Sequence, residues 1–159
     1  MTSNTQTAIQ PELTIPTFAE IGLHPALLQA VSDTGYTTPT PIQAQALPSV
    51  MAGNDVMGAA QTGTGKTAAF TLPILTKLAA SSTGGQARRV RALVIAPTRE
   101  LVTQIHDNLT IFTKGTPAKV IMVVGGASLN RQAMNLARGA DVLVATPGRL
   151  IDLLERGDV

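Results

Sequence analysis

From Asp55 onward the chain repeats one pattern, and that pattern admits few folds. Four short apolar runs, "DVMGA", "RALVIAPT", "AKVIMVVGG" and "ADVLVATPG", are rich in β-branched residues and end in or near Gly, Pro or Thr. Such runs read as strands buried on both faces, the kind found in parallel sheets. Each is followed by a helical pattern. The clearest places Leu101, Ile105, Leu109 and Phe112 along one helix face, and Leu150, Leu153 and Leu154 repeat it near the end. Four strand-helix alternations predict an α/β fold, a parallel sheet with helices on both faces. Ligands of such sheets gather at the carboxyl ends of the strands, so the loops there are the places to look for function.

Upstream of the alternation, residues 1–17 are polar and punctuated by proline, and read as a flexible N-terminal tail. Order is expected from Phe18, so residues 18–159 form one domain. Two helices precede the alternation. One starts at Pro25 and carries Leu27, Leu28 and Val31, and the other runs from Pro41 to about Val50, with the turn-rich "DTGYTTPTP" between them. The segment "AASSTGGQARRVR" reads as a flexible loop, with Arg88, Arg89 and Arg91 either solvated or forming a nucleic-acid patch.

Composition narrows the setting. At 159 residues, 44% hydrophobic and 14% charged, the chain is globular and has length for one domain. It has no cysteine, which excludes disulfides and thiolate metal sites. No apolar run reaches the length of a membrane span and the first residues do not form a secretion signal, so a soluble, cytoplasmic protein is expected. A net charge of +2 is compatible with a polyanionic partner but does not require one. His24 and His106 lie outside the motif loops and read as surface residues.

The loop after the first run, "AQTGTGKT", has the order a phosphate cradle needs: strand, tight turn, then a helix N-terminus whose partial positive charge meets the anion. Ala60, Gln61, Thr62, Gly63, Thr64, Gly65, Lys66 and Thr67 form this candidate nucleotide site. Gly63 and Gly65 permit the turn, Lys66 can reach the β and γ phosphates and act in catalysis, and the Thr67 hydroxyl can hold Mg²⁺. Ala60 stands where the strict pattern has glycine, a position that mainly requires a small residue. For the base, the Gln43 amide can donate and accept at once, matching the N6 and N7 edge of adenine. Phe18 and Tyr36 are aromatics able to stack on a base. On residue type alone, a lone Gln on a helix is equally a solvated or capping residue, and Phe18 equally a core residue.

Taken together, "GYTTPTPIQ", "AQTGTGKT", "PTREL", "GG" and "TPGR" resemble, in order, the motif series of the first RecA-like P-loop NTPase domain of DEAD-box ATP-dependent RNA helicases. Gly35, Pro39, Pro41, Ile42 and Gln43 match the family's Q motif, Phe18 its isolated upstream aromatic, and Ala60 its usual opening of the phosphate loop. The similarity covers about Phe18 to Val159, and the stretch from Phe18 to Pro48 is most similar to the bacterial RhlE-type branch. Val102 departs from the alanine usual at that position.

The resemblance implies ATP and Mg²⁺ as cofactors. It also implies a sequence-independent groove for the RNA backbone, lined by Pro97, Thr98, Arg99, Gly125, Gly126, Thr146, Pro147, Gly148 and Arg149. Protein partners from RNA processing or decay are compatible with such a role. Threonines at strand ends and adjacent glycines suit phosphate contact, which carries no base sequence, and 2′-hydroxyls would favour RNA over DNA. No two of the ten acidic residues are adjacent, and the chain stops ten residues after Arg149, before the family's D-E-A-D motif. The SAT motif and second domain with its arginine fingers are expected beyond it. This chain alone is therefore expected to bind adenine nucleotide without hydrolysing ATP or unwinding RNA at a meaningful rate. The alternatives are another P-loop NTPase and a non-catalytic nucleotide-binding adaptor.

Overall fold

The computed structural model describes residues 15–81 and 89–159. Most of the expected tail and positions 82–88 of the "AASSTGGQARRVR" loop, Arg88 included, lie outside the described residues. Nine elements follow in order: α1 (Pro25–Asp33), α2 (Pro41–Met51), α3 (Lys66–Ala80), β1 (Ala92–Ile95), α4 (Arg99–Phe112), β2 (Val120–Val123), α5 (Leu129–Ala137), β3 (Val142–Ala145) and α6 (Pro147–Glu155). Prolines open α1, α2 and α6, where a fixed φ and a missing N–H cost nothing.

All described strand pairs are parallel, in the order β1-β3-β2, so β3 returns to the centre. All four of its residues are buried. Side-chain alternation then sorts the core into two layers. Val142 and Val144 pack with α1, α3 and α4 residues such as Leu27, Leu72 and Leu109, while Leu143 and Ala145 pack with Leu136, Leu150 and Leu153 of α5 and α6. Helices therefore cover both faces, as the alternation predicts. Reversal of direction between β1→β2 and β2→β3 requires it, because right-handed crossovers running opposite ways leave their helices on opposite faces.

Three sequence readings are corrected. "DVMGA" forms no strand: Val56 is 43% exposed and Met57 fully exposed. Val56 and Gly58 face Leu93–Ala96 of the β1 edge across a cleft of about 580 Å³, whereas a ladder needs neighbours about 4.8 Å apart. On α4, Val102 is fully buried while Leu101 is 37% exposed, so the core stripe is Val102, Ile105, Leu109 and Phe112. Val102 is thus a central packing residue of its helix. Leu154 of α6 is half-exposed, and only Leu150 and Leu153 face the core.

Among the described residues, no helix is long and apolar enough to cross a membrane. At the end of the sheet opposite the motif loops, the Asp141 carboxylate accepts from Arg91 Nη2 at 2.9 Å and from the Lys119 backbone N–H at 2.8 Å. It ties the approach to β3 to those of β1 and β2.

Candidate functional site

The phosphate loop closes on the N-terminus of α3. Gly63 and Gly65 adopt φ of +79° and +88°, the left-handed region that glycine enters without strain. Gly65 is also the N-cap residue and has no side chain to offer, so no side-chain cap occupies the first-turn N–H groups of α3. They remain available to an anion, with the helix dipole behind them. The Lys66 ammonium folds back over the loop and donates to the carbonyls of Ala60 and Gln61, the latter at 2.6 Å. Thr64 Oγ1 donates to the same Gln61 carbonyl at 2.7 Å. Lys66 is therefore beside the cradle, held by bonds that a phosphate can replace. Thr67 follows it and lines the cleft with Lys66. Uncapped amides, an ammonium and a hydroxyl form a donor set that fits a nucleotide's phosphates. For Mg²⁺, no group of three His, Cys, Asp or Glu gathers among the described residues, so an ion held here would come with the phosphates, Thr67 adding one hydroxyl.

Gln43 reaches this loop from α2 and is only 2% exposed. Its Oε1 accepts from the Thr40 N–H at 3.0 Å, and its Nε2 donates to the Gly65 carbonyl at 3.1 Å. The amide expected to face a base is turned toward the loop and caps its own helix. The two aromatic candidates separate. Phe18 is 5% exposed within the core cluster beside Leu23 and Leu27, the core alternative that its residue type left open, and burial of its large apolar surface leaves the ring no open face for stacking. Tyr36 is 42% exposed and leans on Phe112, with ring centroids 6.3 Å apart.

The remaining candidates converge on one place. Register aligns Ile95 with Ala145 and Ala145 with Val123, so the carboxyl ends of all three strands lie level. The loops leaving them form a groove of about 570 Å³ lined by Pro97, Thr98, Arg99, Gly125, Thr146, Gly148 and Arg149, together with Glu100 and Asp152. Gly126 adjoins it beneath Arg99, and Pro147 is the exposed first residue of α6. Thr98 Oγ1 accepts from the Leu101 N–H at 3.2 Å, and its O–H is left to donate. Thr146 opens α6 with no side-chain cap bond. Arg149 donates to Asp152 at 3.2 Å and to the Ala127 carbonyl at 2.9 Å, which holds its guanidinium across the groove. Arg99 has no acidic partner among the described residues. Hydroxyls, an unpaired guanidinium and two helix N-termini in one open groove can bind a phosphodiester chain.

Sequence reasoning missed Glu100, Asp152 and Gln132. The acids border the groove. Gln132 is buried in the apolar stripe of α5 and donates to the Val124 carbonyl at 3.0 Å, directly before the glycine pair. A polar residue between Leu129 and Leu136 at core spacing was the available signal.

Known proteins resemble the chain in sequence and in fold. The family model for DEAD/DEAH box helicases matches residues 40–159. The chain is 44% identical to a DEAD-box ATP-dependent RNA helicase of Oryza sativa subsp. japonica, over 89% of this chain and 25% of the relative. It is 46% identical to the ATP-dependent RNA helicase DeaD of Mycobacterium tuberculosis, over 92% and 25%. It is 45% identical to the DEAD-box ATP-dependent RNA helicase RhpA of Helicobacter pylori, over 88% and 27%. Plant and bacterial relatives match equally well, so they single out no RhlE-like branch. Among solved structures, the yeast DEAD-box splicing factor Prp28 superposes with a TM-score of 0.74 at 40% identity, covering 81% of this chain and 31% of that one. The chain spans between a quarter and a third of the length of these relatives. Its α/β fold, its ordered loops and these matches make it a member of the DEAD/DEAH box helicase family.

Proposed function

We propose that this chain is the nucleotide- and RNA-binding portion of an ATP-dependent RNA helicase, acting in the cytoplasm. The observation that carries the reading is the level alignment of three strand ends, which gathers Thr98, Arg99, Thr146 and Arg149 into one groove on the scaffold whose α3 bears the phosphate loop. The phosphates of ATP would lie on the α3 amides, Lys66 would exchange the Ala60 and Gln61 carbonyls for the β and γ phosphates, and the Thr67 hydroxyl would help hold a Mg²⁺ that neutralises phosphate charge. Gln43, with one amide hydrogen and one lone pair still unused, supplies adenine selectivity. The groove holds single-stranded RNA by its backbone. In the intact protein, ATP and RNA close this domain against a second one and bend one strand, opening a short duplex locally. Protein partners from RNA processing or decay fit that work. Alone, the chain binds nucleotide but does not turn it over, since among the described residues no carboxylate lines the cleft beside Lys66 and Thr67. The helicase names of the relatives disfavour an unrelated P-loop NTPase or an adaptor.

Calorimetry with ADP and GDP, alongside anisotropy with a labelled single-stranded RNA, tests the reading. ADP binding without GDP binding, salt-sensitive RNA binding, and loss of the nucleotide alone in Lys66→Ala are expected. Equal binding of ADP and GDP would point to a different P-loop NTPase.

A further inference from the structure

Helix α5 keeps a glutamine where its apolar stripe has room for a hydrophobe. Gln132 is 8% exposed between Leu129, Ala133 and Leu136. Its Nε2 donates to the Val124 carbonyl at 3.0 Å, and its Oε1 is buried without a partner among the described residues. The reverse amide orientation would set two acceptors against each other, so the bond fixes the assignment. A methionine here would fill the same space without an orphaned oxygen, so the glutamine carries a desolvation cost that its bond to Val124 only partly offsets.

What the bond holds is the groove. β2 ends at Val123, so the Val124 carbonyl lies beyond the ladder, and the next two residues are the glycine pair. Two consecutive glycines form a loose link unless something fixes them. Gln132 anchors its start, and Arg149 anchors its end through the Ala127 carbonyl at 2.9 Å. Arg99 lies directly on Gly126: a Cβ built there would come within 2.7 Å of the guanidinium carbon. The glycine is a seat for Arg99, and the height of the seat depends on where Val124 is held.

We propose that Gln132 is a positioning residue for RNA binding: through Val124 it sets the Gly125–Gly126 loop and so places the Arg99 guanidinium at the groove. This rests on the RNA reading of the groove given above.

The test uses the full chain with Gln132→Met, Arg99→Ala and the double variant. Read-outs are the Gly125 and Gly126 amide signals and the Arg99 Nε–H signal by NMR, ADP affinity, thermal midpoint, and anisotropy with a labelled oligouridylate. In Gln132→Met, the loop and Arg99 signals should shift or broaden, and RNA affinity should fall about five- to tenfold, the worth of one buried hydrogen bond. ADP affinity should hold, and the midpoint should move by no more than about 3 °C. Adding Gln132→Met to Arg99→Ala should weaken RNA binding little further, since both act through one guanidinium. Gln132→Glu should recover the wild-type loop signals on acidification, because only the protonated carboxyl can donate to Val124. Unmoved loop signals would overturn the proposal, as would moved signals with wild-type RNA affinity, or a lowered midpoint with additive effects on RNA. If the wild-type chain binds no RNA, the reading of the groove fails with it, while the loop and Arg99 signals still decide whether Gln132 sets the seat.

Discussion

The side-chain amide of Gln43 donates to the main-chain carbonyl of Gly65 at 3.1 Å while its oxygen accepts from Thr40, so one buried residue joins the start of α2 to the phosphate loop. Removing it should affect the loop and the base together. In Gln43→Ala, ADP affinity should drop more than about tenfold, and the ADP-to-GDP ratio should approach one, measured by calorimetry. A weaker site with its ratio intact would assign Gln43 to the loop alone. The thermal midpoint should also fall, because truncation leaves a void and strands the Thr40 N–H.

The two loop glycines should differ in their tolerance of a methyl group. Both have positive φ, but at Gly63 a Cβ would meet open space, whereas at Gly65 it would overlap the Gln43 amide and sit 3.1 Å from Thr40 Oγ1. Gly63→Ala should cost about 1–2 kcal/mol of backbone strain and Gly65→Ala more, with nucleotide binding lost in the second. Denaturant melts and ADP titration of the two variants check the order.

Asp141 should be the most sensitive of the described carboxylates. Its side chain is 4% exposed and receives Arg91 and the Lys119 N–H. Asp141→Ala leaves the Lys119 N–H without an acceptor and the Arg91 guanidinium with only its Ser81 bonds, and should destabilise by about 2 kcal/mol or more. Arg91→Met should cost less, since the Lys119 bond survives and Arg91 itself is partly exposed. Chemical denaturation that ranked Arg91→Met as the costlier would contradict this account of the corner.

Glu20 should titrate below an ordinary glutamate. The Thr17 backbone N–H, then the Thr17 hydroxyl, donate to its carboxylate at 2.7 and 2.9 Å and favour the charged form. A folded pKa below the unfolded one gives stabilisation that is present above the unfolded pKa and is lost as pH falls through the folded pKa. Thr17→Val removes the hydroxyl but not the N–H, so an NMR titration should show the Glu20 pKa rising part of the way toward its ordinary value. The turn starts one residue before the Phe18 boundary that polarity in the tail suggests.

Local chemistry is what the sequence made legible. Prolines at the starts of α1, α2 and α6, β-branched runs for β1 to β3, and glycines with a lysine and threonine for the phosphate loop are properties of a residue and its near neighbours. The ordered motifs identified the family for the same reason. Tertiary structure decided what depends on a distant partner. "DVMGA" has strand composition, but a strand exists only when a neighbour completes its hydrogen bonds, and across the cleft none does. Leu101 and Val102 have similar hydrophobicity, and only packing chose Val102. Phe18 went to the core and the Gln43 amide to Gly65 because of where α1, α2 and α3 meet. The groove was expected from the family resemblance, but residue spacing could not show it: Thr98, Gly125 and Thr146 are far apart in sequence, and the β1-β3-β2 order with level strand ends is what makes them neighbours.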